Sequence, residues 1–235
     1  MYHAPATTTR SPQQITDDTR LHGRWLLLAR VAWLVLVTAT LAFFVGSLPV
    51  YYTLIQKPCG KNTFPCGNLT GGLDTGGLQA LQALGFSASE HAAYIIAVTI
   101  AVGLVWVTVG LLIFWRRSDD GVALLGALAL LVTYVGQTAG VTSALVYTSS
   151  FWAFPVQVIN FLSDGVGISF ISLFPSGRFA PRWMRWALAI YLGFALINIF
   201  APPTSPLNLN NVTPVVPSLI YICFYGLLIF SQIYR

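Results

Sequence analysis

Gln157, Asn160 and Asp164 fall at i, i+3 and i+7 in the run AFPVQVINFLSDGVGISFISL. A helix would place all three on one face. Two amides and a carboxyl stacked in this way can bind a proton, hydrogen-bond a ligand or clasp a neighbouring helix. Insertion scales put the cost of an aspartate at mid-bilayer at roughly 2.5–3.5 kcal/mol, so an acid here is a default functional flag, though not a specific one. Gln137, in GQTAG of the preceding apolar run, lies at broadly comparable depth and is the expected partner. Gly136 and Gly140 beside it allow close helix approach. Asp164 therefore keeps three readings: structural clasp, ligand contact or proton-linked switch, and part of a transport pathway. Pro155 before it, and Gly165 and Gly167 after it, can loosen this helix locally.

Cys59 and Cys66 flank a turn-rich stretch in KPCGKNTFPCGN. Outside a bacterial membrane they are expected to form a disulfide. Free thiols and a metal site remain as alternatives, the second weakly, because His91 is the only nearby further ligand. Cys223, inside the last apolar run, reads as a small apolar residue. No Walker loop, HExxH, nucleophile elbow or dinucleotide fingerprint is present. Catalytic residues, cofactors and metals are therefore not expected.

The elements that must position these residues follow from composition. The chain has 235 residues, 56% hydrophobic and 8% charged; soluble domains carry roughly 25% charged residues. This composition predicts an all-α, polytopic membrane protein, a bundle of about six transmembrane helices. The apolar runs put the spans at about 26–48, 92–115, 122–146, 152–174, 186–201 and 218–234. Residues 1–24 are expected to form a disordered tail, 25–235 the membrane domain and 49–91 its outer loop. A cleaved signal peptide competes for the first span. It would have a shorter apolar core and a small-residue cleavage site, so a retained signal-anchor helix is favoured.

Orientation follows the arginines. With the N-terminus inside, Arg10, Arg20, Arg24, Arg116, Arg117, Arg178, Arg182, Arg185 and Arg235 all become cytoplasmic, and Arg30 can extend toward the same face. Lys57 and Lys61 lie outside. The net charge of +5 is thus a statement about topology, and no like-charge block suggests nucleic acid. Both termini are expected in the cytoplasm of a multi-pass cell-membrane protein whose first partner is the lipid bilayer.

Two loops carry legible detail. In the outer loop, LQALQALGF predicts a short interfacial helix ending near Gly85. SASE then predicts a capping box, with Ser87 as N-cap and Glu90 at N3, and His91 beside it reads as an interface residue. In FPSGRFAPRWMRW, Pro175, Ser176 and Gly177 supply a turn, and Pro181 lies near the next helix start. Trp183 and Trp186 suit the headgroup layer, while Arg178, Arg182 and Arg185 hold this basic turn in the cytoplasm.

WRRSDDGVALLGALALL followed by SLFPSGRFAPRWMRW resembles the N-terminal multi-pass membrane sensor region of bacterial sensor histidine kinases, among them the competence quorum-sensing kinase and its relatives. In that group a Phe-Pro-Asp/Asn-Gly-Arg-Phe-Val-Pro-Arg-Trp turn recurs between membrane helices. Here Ser176 replaces the acid or amide and Ala180 the valine. The resemblance covers roughly residues 78–235. It implies a signal-sensing and dimerising input region of a two-component system, working as a homodimer on an extracellular or lipid-phase signal. A downstream kinase core or response regulator would be its partner. SQIYR follows the sixth span directly, and His3, His22 and His91 do not suit a phosphoacceptor, so no kinase activity is expected from this stretch. The competing expectation is a small transporter or lipid-handling membrane protein using Asp164.

Overall fold

In lipid, a spanning segment must satisfy its own backbone N–H and C=O groups, and a helix does so within one segment. The computed structural model describes residues 23–58, 71–201, 205 and 215–234. Every regular element among them is helical, so the chain is all-α. The helices are α1 (Arg24–Ile55), α2 (Thr75–Ala83), α3 (Ala88–Arg117), α4 (Gly121–Gln137), α5 (Ala139–Ser143), α6 (Ala153–Leu173), α7 (Met184–Phe200) and α8 (Val215–Tyr234). Tight 3-10 turns at Ala144–Tyr147 and Ser150–Trp152 join α5 to α6.

Among the described residues, fewer helices than expected are long enough to cross a membrane. Arg24–Ile55, Ala88–Arg117 and Ser150–Leu173 have the length and apolarity, and α4 with Ala139–Tyr147 makes a fourth if that pair is one bent span. Two physical causes separate this from the expected six. First, α7 has 17 residues, about 26 Å of helix against a hydrocarbon core of ~30 Å. The apolar part of α8, Ser218–Tyr234, is just as short. Second, the run expected to reach residue 146 breaks at Thr138, where the axis bends by 60°. The Thr138 hydroxyl donates to Val135 O at 2.9 Å, a local bond that competes with helix continuation. The irregular stretch that follows is packed against α1, with Val141 and Ala144 in one core with Phe44, Tyr51 and Ile55.

Small residues set the helix spacing. α3 buries only Ala92, Gly103 and Gly110. A Cβ at Gly103 would meet the Tyr134 ring at 2.9 Å, and one at Gly110 would meet Leu131 at 3.0 Å. The Tyr134 hydroxyl donates to Thr99 O, fastening α4 to α3. Between α4 and α6 the same device recurs: Gly126 faces Phe170, Gly136 faces Ser163 and Gly167 faces Thr133. Where lipid offers no hydrophobic drive between helices, such close packing is a principal source of association. A separate core of Ile168, Met184, Leu188, Tyr191, Ala195, Phe224 and Leu228 joins α6, α7 and α8.

The chain passes up and down, so helix ends of like character meet. Trp33 of α1 stacks on Phe114 of α3 at 4.1 Å, and Ser231 of α8 donates to Ala180 O at 2.6 Å. Arg24, Arg116, Arg117, Arg178, Arg182 and Arg185 consequently share one end of the bundle, with Trp25, Trp115, Trp183 and Trp186 exposed among them. Lys57 follows α1 at the other end.

At that other end the predicted punctuation forms. Asp74 caps α2 by accepting from Gly77 N at 2.7 Å. The helix closes in a Schellman motif: Gly85 adopts φ +86°, Phe86 N donates to Leu81 O at 3.1 Å and Gly85 N to Gln82 O at 2.9 Å. Ser87 and Glu90 then form the capping box of α3. His91 Nε2 lies 3.0 Å from Gly71 O and ties the loop to the helix.

Candidate functional site

α6 presents two faces, and their separation locates the site. Ile159, Ser163 and Gly167 lie on the face that meets α4, with Ile159 and Ser163 buried. Gln157, Asn160 and Asp164 lie about 100° away, one residue around the helix. The expected pairing of Asp164 with Gln137 is therefore corrected. Gln137 does sit level with this region, because its neighbour Gly136 faces Ser163, but its own side chain is exposed. Gly136 admits α6 only where α6 is equally small, so Ser163 occupies the contact and Asp164 is turned aside.

Asp164 flanks Phe161 and Ile168 on the face of α6 that packs against Tyr191 of α7 and Phe224 of α8. Its carboxyl lies within electrostatic reach of the hydroxyls of Tyr191, Tyr221 and Tyr225. Tyr191 is only 2% exposed, stacks on Phe224 at 4.2 Å and meets Tyr221 edge-on at 5.9 Å. Among the described residues, no lysine, arginine or histidine acts on this carboxyl. Asn160, one turn away, has its Oδ1 fully buried with no hydrogen-bond donor upon it. Gln157 continues the stripe, half-buried. The arrangement sets a carboxyl and two amides beside phenol rings, whose hydroxyls donate as well as accept, and among the described residues it lacks a cation.

α8 brings Tyr221 and Tyr225 near Asp164 and is fastened at its far end. Gln232 Nε2 donates to Ile171 O at 2.6 Å, and Ser231 Oγ to Ala180 O. One bond reaches the last turn of α6 and the other the basic turn. Beside Tyr191, an apolar groove of about 450 Å³ opens between α7 and α8, lined by Ile190, Leu219, Cys223, Phe224 and Leu227 among others. Cys223 is exposed in this groove.

The three tyrosines were missed in the sequence. Their signal was present: Tyr221 and Tyr225 are i and i+4 on one helix, and Tyr191 is a hydroxyl midway along α7, between Arg185 and Asn198. Tyrosine is a weak signal in an apolar run, because it is common near headgroups.

The basic turn follows the sequence closely. Leu173 O accepts from Gly177 N at 2.8 Å, and Gly177 has φ +70°, the left-handed region glycine favours. The peptide bonds before Pro175 and Pro181 are cis. Arg178, Arg182 and Arg185 are exposed, and the Arg185 guanidinium lies 5.4 Å from the Trp186 ring centre. Cys59 and Cys66 lie outside the described residues. Among the described residues, no three His, Cys, Asp or Glu side chains gather as a metal set. No family model, no curated protein and no solved structure matches this chain.

Proposed function

We propose that the chain is a membrane-embedded signal-input module, with α8 as the element that carries a change at the Asp164 cluster to the basic end. In this reading all six apolar segments cross the bilayer. The short α7 and α8 are accommodated by local thinning and by flanking tryptophan and arginine anchors. Both termini lie in the cytoplasm, and the module acts as a homodimer, in keeping with the resemblance to histidine kinase input regions.

One observation carries the reading. α8 carries Tyr221 and Tyr225 within electrostatic reach of Asp164 and bonds the basic turn through Ser231. A ligand or proton that favours one position of α8 therefore shifts the other end with it; differential affinity for two positions is all that switching requires.

The test fuses residues 1–235 to the dimerisation and ATP-binding region of a histidine kinase and follows autophosphorylation in proteoliposomes. Ser231→Ala with Gln232→Ala should change the basal output. Asp164→Asn should bias output to one state while the protein still folds. Unchanged output in both variants overturns the coupling.

A further inference from the structure

We propose that the Asp164 cluster and the α7–α8 groove together form a binding site for an amphiphilic amine, its ammonium at Asp164 and its alkyl chain in the groove. A primary ammonium brings three donors and no acceptor. The cluster offers the complement: the Asp164 carboxyl, the unpartnered and buried Asn160 Oδ1 and the buried Tyr191 hydroxyl, on the face of α6 whose Phe161 and Ile168 pack against Tyr191. No basic side chain among the described residues balances the carboxyl. The rings add to the match, since phenol faces attract cations, the more so where water is excluded.

The groove fixes the rest of the ligand. Its volume of about 450 Å³ falls within the roughly 300–1,000 Å³ usual for small-molecule sites. Ile190, Leu219, Cys223, Phe224 and Leu227 give it an apolar wall, and Tyr191 belongs both to that wall and to the cluster. A hydrophilic cation would leave the wall uncovered, and a neutral lipid would leave the carboxyl without a countercharge. An anionic amphiphile would face Asp164 with like charge. Charge complementarity therefore selects a cationic head on one alkyl chain, arriving through the lipid phase. This site goes beyond the signalling role, because occupancy is read without any transmitter.

The experiment uses the full chain in phosphatidylcholine nanodiscs and radiolabelled dodecylamine as the probe, with partition into empty nanodiscs subtracted. One saturable component is expected. Truncating one side of a buried charge pair costs at least tenfold in affinity, so Asp164→Asn should weaken binding by about that factor or more. Cys223→Trp, which fills the groove and leaves the cluster intact, should also weaken it. Dodecanol and dodecanoate should show partition alone. Circular dichroism and size-exclusion profiles establish that each variant is folded. Absence of a saturable component overturns the site. So does one that survives Asp164→Asn, or one that dodecanol matches. None of these results touches the coupling of α8 to the basic turn, which the kinase fusion reads separately.

Discussion

Gly136 of α4 and Ser163 of α6 approach so closely that a Cβ at position 136 would stand 2.1 Å from Ser163 Oγ. Nothing in that geometry can give without moving a helix. Gly136→Ala should therefore cost roughly 1–3 kcal/mol, the usual range for overpacking. Ser163→Gly in the same chain should restore much of the loss. Gly46→Ala and Gly193→Ala face open space and should not destabilise the protein. Thermal unfolding of the purified protein in detergent reads all four. Equal melting of Gly136→Ala and Gly193→Ala would remove the contact from the account.

This pair also explains which parts of the fold were legible. Helix starts, caps and turns are local, so Ser87, Glu90, Gly85 and Gly177 could be placed from neighbouring residues. The proximity of α4 and α6 was legible too, from Gly136 and Gly140. Their rotation about one another was not. A polar stripe and a small stripe one residue apart compete for the interface, and only volume at Gly136 decides between Ser163 and Asp164. The break at Thr138 was hidden for a related reason: hydropathy continues through it unchanged, and the stretch beyond it packs against α1, a contact distant in sequence.

If the Asp164 cluster helps to seat α8, its removal should be felt at the far end of that helix. Gln232 donates to Ile171 O, so Ile171→Cys and Gln232→Cys should be joined by a short bismaleimide in a chain whose native cysteines are replaced by serine. Asp164→Asn keeps polar atoms toward Tyr191 and Tyr221, and the cross-link should form as before. Asp164→Leu offers them no hydrogen bond, and the yield should fall, while the α4–α6 interface stays intact. Identical yields in all three backgrounds would separate the seating of α8 from Asp164.

The capping box fixes where α3 begins. Ser87 Oγ lies 3.2 Å from the Glu90 N–H, and Glu90 Oε2 accepts from the Ser87 N–H at 2.7 Å. Ser87→Ala leaves the first turn with an unpaired donor, a loss of about 1 kcal/mol. Amide hydrogen exchange should quicken at residues 88–91 and stay unchanged near Thr99, deep in the same helix. Uniform quickening along α3 would mean that the box stabilises the whole helix rather than its end.

Orientation in a bilayer is a matter of charge. The basic end carries Arg116, Arg117, Arg178, Arg182 and Arg185, ringed by exposed Trp115, Trp183 and Trp186. Lys57 stands at the opposite end after Ile55. Cationic residues are retained on the cytoplasmic side, so the turn at Ser176 should face inward and Lys57 outward. Ser176→Cys and Lys57→Cys, each in a chain without other cysteines, report this with a membrane-impermeant maleimide on intact cells. The cysteine at position 57 should react at once, and the one at position 176 only after the membrane is permeabilised. The reverse pattern would invert the topology and place the basic turn outside. Reaction of both in intact cells would mean that an even number of segments crosses between them, as when α4 and the stretch after Thr138 form a re-entrant loop rather than a span. The two labelling results therefore decide orientation and the fate of the bent pair in one measurement.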